Sequence, residues 1–123
     1  MSVKRRQIGK EARRELWERE NRRCGYCGMK IGLCEVTVDH KIPLSRGGPD
    51  CRGNMVCSCV GCNKLKADRT VEEFRKVVGA LEQELLDESP KFRAALRFRI
   101  LRENKKKRIL FHFEVREKKQ GYG

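Results

Sequence analysis

At 123 residues the chain is long enough for one compact domain with a short appendage. Its 30 Lys+Arg against 17 Asp+Glu give a formal net charge of +13, which favours a polyanionic partner; a basic solubility surface or an anionic membrane would fit the same charge, although no strongly amphipathic basic anchor stands out. No apolar run is long enough to cross a bilayer, and the charged N-terminus lacks the apolar core of a signal peptide, so an intracellular, cytoplasmic protein with no membrane partner is expected.

Residues 1–23 hold nine basic and four acidic side chains, residues 91–123 twelve and three, and residues 24–90 nine and ten. Basic flanks therefore enclose a nearly neutral centre. That division gives three segments: a basic arm and helix (1–23), a central unit with its packing helix (24–88) and a basic C-terminal helix and strand (89–123). Met1 to Gln7 reads as a mobile basic arm. Ile8 to Arg23 has helical spacing, with Ala12, Leu16 and Glu20 on one face and Trp17 beside them, packed on the domain. Glu11 repels Glu15, and Glu15 attracts Arg19.

Cys24-Gly-Tyr-Cys27-Gly28 is a knuckle sequence: two thiolates at this spacing grip one ion and the glycines allow the tight turn. Cys59-Val-Gly-Cys62 repeats the spacing, with 31 residues between Cys27 and Cys59, which suits a hairpin that brings the pairs together. In a reducing compartment, paired cysteines among an odd total of seven point to metal rather than disulfides, and a structural four-cysteine zinc is expected. All five phenylalanines follow residue 70, so the segment 24–66 lacks bulk for its own core and a metal staple makes physical sense. Cys57 is a rival to Cys59 as partner of Cys62, but the matched spacing favours Cys59. Cys34, Cys51 and Cys57 then read as small buried hydrophobes or bystanders.

Glu35 to His40 alternates and is β-branched, predicting a strand that Pro43 stops. Ser45 to Asp50 is a turn-rich loop, Asn54 to Cys57 a short return strand, and Gly61 to Ala67 the start of a helix. Thr70-Val-Glu-Glu73 is a capping-box sequence, followed by Val71, Phe74, Val77 or Val78, Leu81 and Leu85 at helical spacing, on a helix expected to pack on the central unit. Ser89-Pro90 opens a further helix with Phe92, Ala95, Leu96 and Ile100. Ile109, Phe111, Phe113 and Val115 alternate as a final strand without an evident partner. There is no internal repeat.

The run Asp39-His40, Pro43, Gly47-Gly48, Asn54, Cys59-x-x-Cys62-Asn63-x-x-Lys66, preceded by Cys24-x-x-Cys27, resembles the HNH endonucleases that carry a four-cysteine zinc, members of the ββα-metal nucleases. The resemblance covers residues 20–75. Asn54 lies fourteen residues after His40 and Asn63 twenty-three, both ordinary for that family, with Asn63 in place of the third-letter histidine. It implies an α+β fold: a ββα-metal hairpin–helix unit stapled by zinc, flanked by helices and a C-terminal strand. It also implies that Asn54 orients the loop carrying His40 and touches no metal, and that cleavage leaves 5′-phosphate and 3′-hydroxyl ends.

The chemistry agrees. Hydrolysis of a phosphodiester needs an activated water, compensation for negative charge and help for the departing oxygen. An imidazole, with a reference pKa of about 6.5, accepts a proton from water near neutrality, and His40 is the histidine within the motif, hence the expected general base; His112 reads as structural. Asp39 and Asn63 offer oxygen ligands for one hard divalent cation, magnesium or manganese. Adjacent strand residues point to opposite faces, so Asp39 and His40 can serve together only where the strand ends or bends, which Pro43 allows. Arg46, Lys66 and the cluster Lys105, Lys106, Lys107 and Arg108 are candidate phosphate contacts, with Lys41 beside them; solvated surface is the plain alternative. The substrate expected is double-stranded DNA, nicked one strand at a time by a monomer or homodimer. The rival is a zinc-ribbon-like nucleic-acid-binding module without catalysis, or a zinc-stabilised RNA-binding protein, neither of which accounts for Asp39, His40 and Asn63 at catalytic spacing.

Overall fold

In the structure, a computed structural model, residues 9–103 and 108–119 are described. The basic arm Met1–Gln7 and Lys105, Lys106 and Lys107 lie outside them. Helix α1 spans Lys10–Arg19, strands β1 and β2 Thr37–His40 and Met55–Ser58, and helices α2, α3, α4 and α5 Val60–Lys66, Val71–Glu88, Pro90–Arg97 and His112–Lys119. The fold is α+β. The strands form a two-stranded antiparallel sheet in which Thr37 faces Ser58 and His40 faces Met55. None of the described helices is long and apolar enough to cross a membrane.

The chain divides into two compact units, one made of residues 1–71 and 110–123, the other of residues 72–109. The first has a core of Ala12, Leu16, Cys24, Tyr26, Ile31, Val36, Met55, Val56, Cys57, Phe111 and Phe113. As its spacing predicts, α1 buries Ala12 and Leu16, with Glu20 just beyond it. Trp17 packs on the domain and donates its indole N–H to the Ile31 carbonyl (2.8 Å). Arg13 and Arg19 reach carbonyls at Val36 and Met55 (both 2.7 Å), so these cations tie α1 to the hairpin. In the second unit Ser89 caps α4, its hydroxyl accepting from the Phe92 N–H (3.1 Å), with Pro90 at the first helical position as expected.

The predicted C-terminal strand is a helix. It pairs with neither β1 nor β2; the Phe111 N–H is instead taken by the Glu114 carboxylate (2.9 Å), the reciprocal half of a capping box. The alternating Phe111 and Phe113 straddle the start of α5 and both stand edge-on to Tyr26, with ring centroids 5.2 and 5.9 Å away. The N–H groups of His112 and Phe113 donate to the Tyr26 and Gly25 carbonyls (3.1 and 2.8 Å). Arg116 pairs with the fully buried Glu20 (2.9 Å). The C-terminal helix thus closes over the first cysteine pair.

Candidate active site and metal centre

Cys24 and Cys27 leave the first knuckle, and Cys59 and Cys62 open α2. Their four sulfur atoms all lie within 4.8 Å of one another. Backbone N–H groups of Tyr26 and Cys59 point at Cys24 Sγ (3.4 and 3.3 Å), and that of Cys62 at Cys59 Sγ (3.4 Å). Such donors stabilise thiolates bound to metal, and four sulfurs suit zinc. The hydrogen bond from the Cys62 thiol lowers Cys24 to about 4 and, with burial, pushes Cys62 up; burial also raises Cys27. Cys57 is fully buried outside the cluster, its thiol pushed up to about 12 by desolvation. Cys34 and Cys51 are exposed. The matched spacing therefore selects the right quartet over the Cys57 rival.

Asp39 and His40 occupy the last two positions of β1, and both are buried (7% and 5% exposed). The strand ends there. Asp39 Oδ2 accepts from the Tyr26 hydroxyl and pairs with Lys66 Nζ (2.8 Å), which also donates to the His40 carbonyl (2.8 Å). Both partners take the same carboxylate oxygen; among the described residues Oδ1 has no hydrogen bond, and it is not sealed from solvent. Burial, then the Asp39 charge, push the Tyr26 phenol well above the usual tyrosine range, so it stays a donor. Lys66, expected at the phosphate-binding surface, is instead fully buried. A buried ammonium needs a counter-charge, and Asp39 supplies it.

His40 Nε2 lies 3.0 Å from Asp50 Oδ1. Asn54 is a two-sided clasp: its Nδ2 donates to the carbonyls of Ile42 and Pro49 (both 2.9 Å), and its Oδ1 accepts from the Ile42 N–H (3.0 Å). The loop it closes needs its glycines. Gly47 has φ +86°, and a Cβ on Gly48 would stand 1.9 Å from the Ile42 carbonyl oxygen. Asn63, half-buried on α2, lies one turn before Lys66 on the same helical face. Lys66 pins that face to the end of β1, so the sheet and α2 bring Asp39, His40 and the Asn63 helix to one place. The oxygen donors Asp39 and Asn63 fit a hard divalent cation. Arg46 and Arg108 are exposed. Lys41 is held by Glu117 (3.3 Å) and by the face of the Phe113 ring (4.8 Å).

Tyr26 and Asp50 are the site residues that sequence reasoning missed. Tyr26 was visible as the one hydroxyl-bearing aromatic inside the knuckle. Asp50 looks in sequence like any turn acid after a proline.

Residues 24–69 match the HNH endonuclease family. Over 66 residues the chain is 35% identical to the CRISPR-associated endonuclease Cas9 of Corynebacterium diphtheriae, a stretch that covers 49% of this chain and 6% of that protein. Among solved structures, the Type II-C Cas9 enzyme from Actinomyces naeslundii superposes with a TM-score of 0.52 at 30% identity, over 59% of this chain and 9% of that one. The chain thus spans less than a tenth of the length of either relative; the family match at residues 24–69 takes in both cysteine pairs, the hairpin and α2. Residues 24–69 are therefore an HNH endonuclease domain, built on a four-cysteine cluster of the kind that holds zinc.

Proposed function

We propose that the protein is a DNA endonuclease that hydrolyses phosphodiester bonds of double-stranded DNA one strand at a time, acting as a monomer or homodimer in the cytoplasm. The observation that carries this reading is the convergence at the end of β1: a buried histidine, a carboxylate with one oxygen left open, and the helix bearing Asn63. His40 takes the proton from the attacking water. Asp39 and Asn63 would hold a magnesium or manganese ion, which would compensate the charge on the phosphoryl oxygens. Tyr26 and Lys66 fix the Asp39 carboxylate, and Asn54 fixes the loop behind His40. Arg46, Lys105, Lys106, Lys107 and Arg108 grip phosphates. The seven cysteines remain reduced, as an intracellular setting requires.

Plasmid nicking with magnesium or manganese, against excess EDTA and a His40→Ala control, tests the proposal. Metal-dependent nicking that falls by at least about a hundredfold in His40→Ala, with DNA affinity kept, is expected. Tight DNA binding without cutting under any metal would replace the nuclease by the binding module. Asn63→His should keep measurable activity, because imidazole ligates the same ion, whereas Asn63→Ala should not; equal activity in all three proteins would remove Asn63 from the site. Neutralising Lys105 to Arg108 should weaken binding to every sequence and flatten its salt dependence. A changed sequence preference would show instead that the segment reads bases.

A further inference from the structure

We propose that Asp50 is a positioning residue for His40: it holds the imidazole with its proton on Nε2 and so leaves Nδ1 as the proton-accepting nitrogen. The inference rests on His40 being the general base and adds which of its nitrogens acts and what selects it.

The two ring nitrogens are in different settings. Nε2 lies 3.0 Å from Asp50 Oδ1. Among the described residues Nδ1 has no partner, and it is not sealed from solvent. A carboxylate beside a neutral imidazole has no proton to give, so the shared hydrogen belongs to the ring, on Nε2. The other nitrogen then carries the lone pair, as a base requires. His40 is only 5% exposed, and among the described residues Asp50 is the side chain bonded to its ring. Asp50 sits on the loop, and its approach is set by Asn54, whose amide grips Ile42, two residues after His40, and Pro49, directly before Asp50. The clasp thus spans both ends of the loop and fixes the distance between carboxylate and imidazole. Asn54 acts through Asp50 as well as through the backbone next to His40.

The test uses the full zinc-loaded chain with selectively ¹⁵N-labelled histidine. Long-range ¹H–¹⁵N spectra at alkaline pH distinguish a protonated from an unprotonated ring nitrogen, and with two histidines in the chain a His112→Gln variant assigns the signals. Expected for the wild type is a protonated Nε2 and an unprotonated Nδ1 at His40. Asp50→Ala should give averaged or reversed signals and lower kcat about tenfold to a hundredfold at unchanged KM and zinc content. Asp50→Glu should recover part of both, and Asn54→Ala should shift the tautomer in the same direction as Asp50→Ala. A wild-type His40 protonated on Nδ1, or an Asp50→Ala protein with an unchanged ring spectrum and unchanged kcat, overturns the inference. The ring spectrum reads the assignment even in a protein that does not cut, so loss of the nuclease reading and loss of the Asp50 role are separate results.

Discussion

Cys59→Ser is expected to unfold the unit that carries the site and to end cutting, with magnesium present throughout. Cys59 supplies a sulfur to the cluster, caps α2, and donates its N–H to Cys24 Sγ. Serine keeps the N–H and is itself a favoured cap, so the substitution isolates the metal ligand. Structural zinc contributes about 10–16 kcal/mol of apparent folding free energy in zinc-finger peptides, whereas a whole domain is stable by about 5–15 kcal/mol. Losing the ion therefore removes more than such a unit has to spare. The measurements are zinc content, far-UV circular dichroism and nicking. Cys34→Ser and Cys51→Ser, both at exposed positions, should be indifferent in all three. A zinc-free protein that still melts cooperatively and cuts would show that the apolar core suffices without the staple.

Lys66→Met comes next in size. Methionine matches the length of the lysine stem, but it removes the ammonium that faces Asp39 and leaves a buried carboxylate with the Tyr26 hydroxyl as its remaining partner. Breaking a buried pair from one side costs about 3–5 kcal/mol. For a unit of this size that corresponds to a fall in Tm of more than about 10 °C. The His40 carbonyl also loses its donor, so the site loosens at two adjacent residues. Asp39→Asn combined with Lys66→Met should recover much of the stability, because no charge is then left unpaired, while activity stays lost with the carboxylate. If the double variant is as unstable as the two single losses added together, the ion pair is not what Lys66 contributes.

The centre of the molecule was legible because its signals are local. A repeated Cys-x-x-Cys, an alternating strand stopped by proline and an Asp-His pair each declare themselves within a few residues. The rest depended on partners far away in sequence. A lysine on a short charged helix looks solvated; Lys66 is buried because Asp39, 27 residues earlier, meets it. Phe111 and Phe113 obey strand alternation, yet they pack on Tyr26 from either side of a helix start. Glu114 in the first turn and Arg116, Lys118 and Lys119 in the last were the local cue for α5, since that order complements the helix dipole. Asp50 is an acid in a turn, and the fold brings it to His40, ten residues earlier.

The excursion of residues 72–109 between Val71 and Leu110 gives the site a timetable. Both cysteine pairs, both strands and α2 leave the ribosome well before Phe111 and Phe113 are made. The Val71 N–H is already fixed to the Lys41 carbonyl (3.1 Å), while the Lys41 ammonium waits for Glu117 and the Phe113 ring on the returning helix. During synthesis the chain can therefore collect zinc and form its hairpin with Tyr26 still uncovered on one side. The aromatic contacts that steady the hydroxyl on Asp39 arrive last. In a nascent chain the contacts of α5 with Tyr26 can form only after residues 72–109 have been made, so the candidate site gains its aromatic backing last.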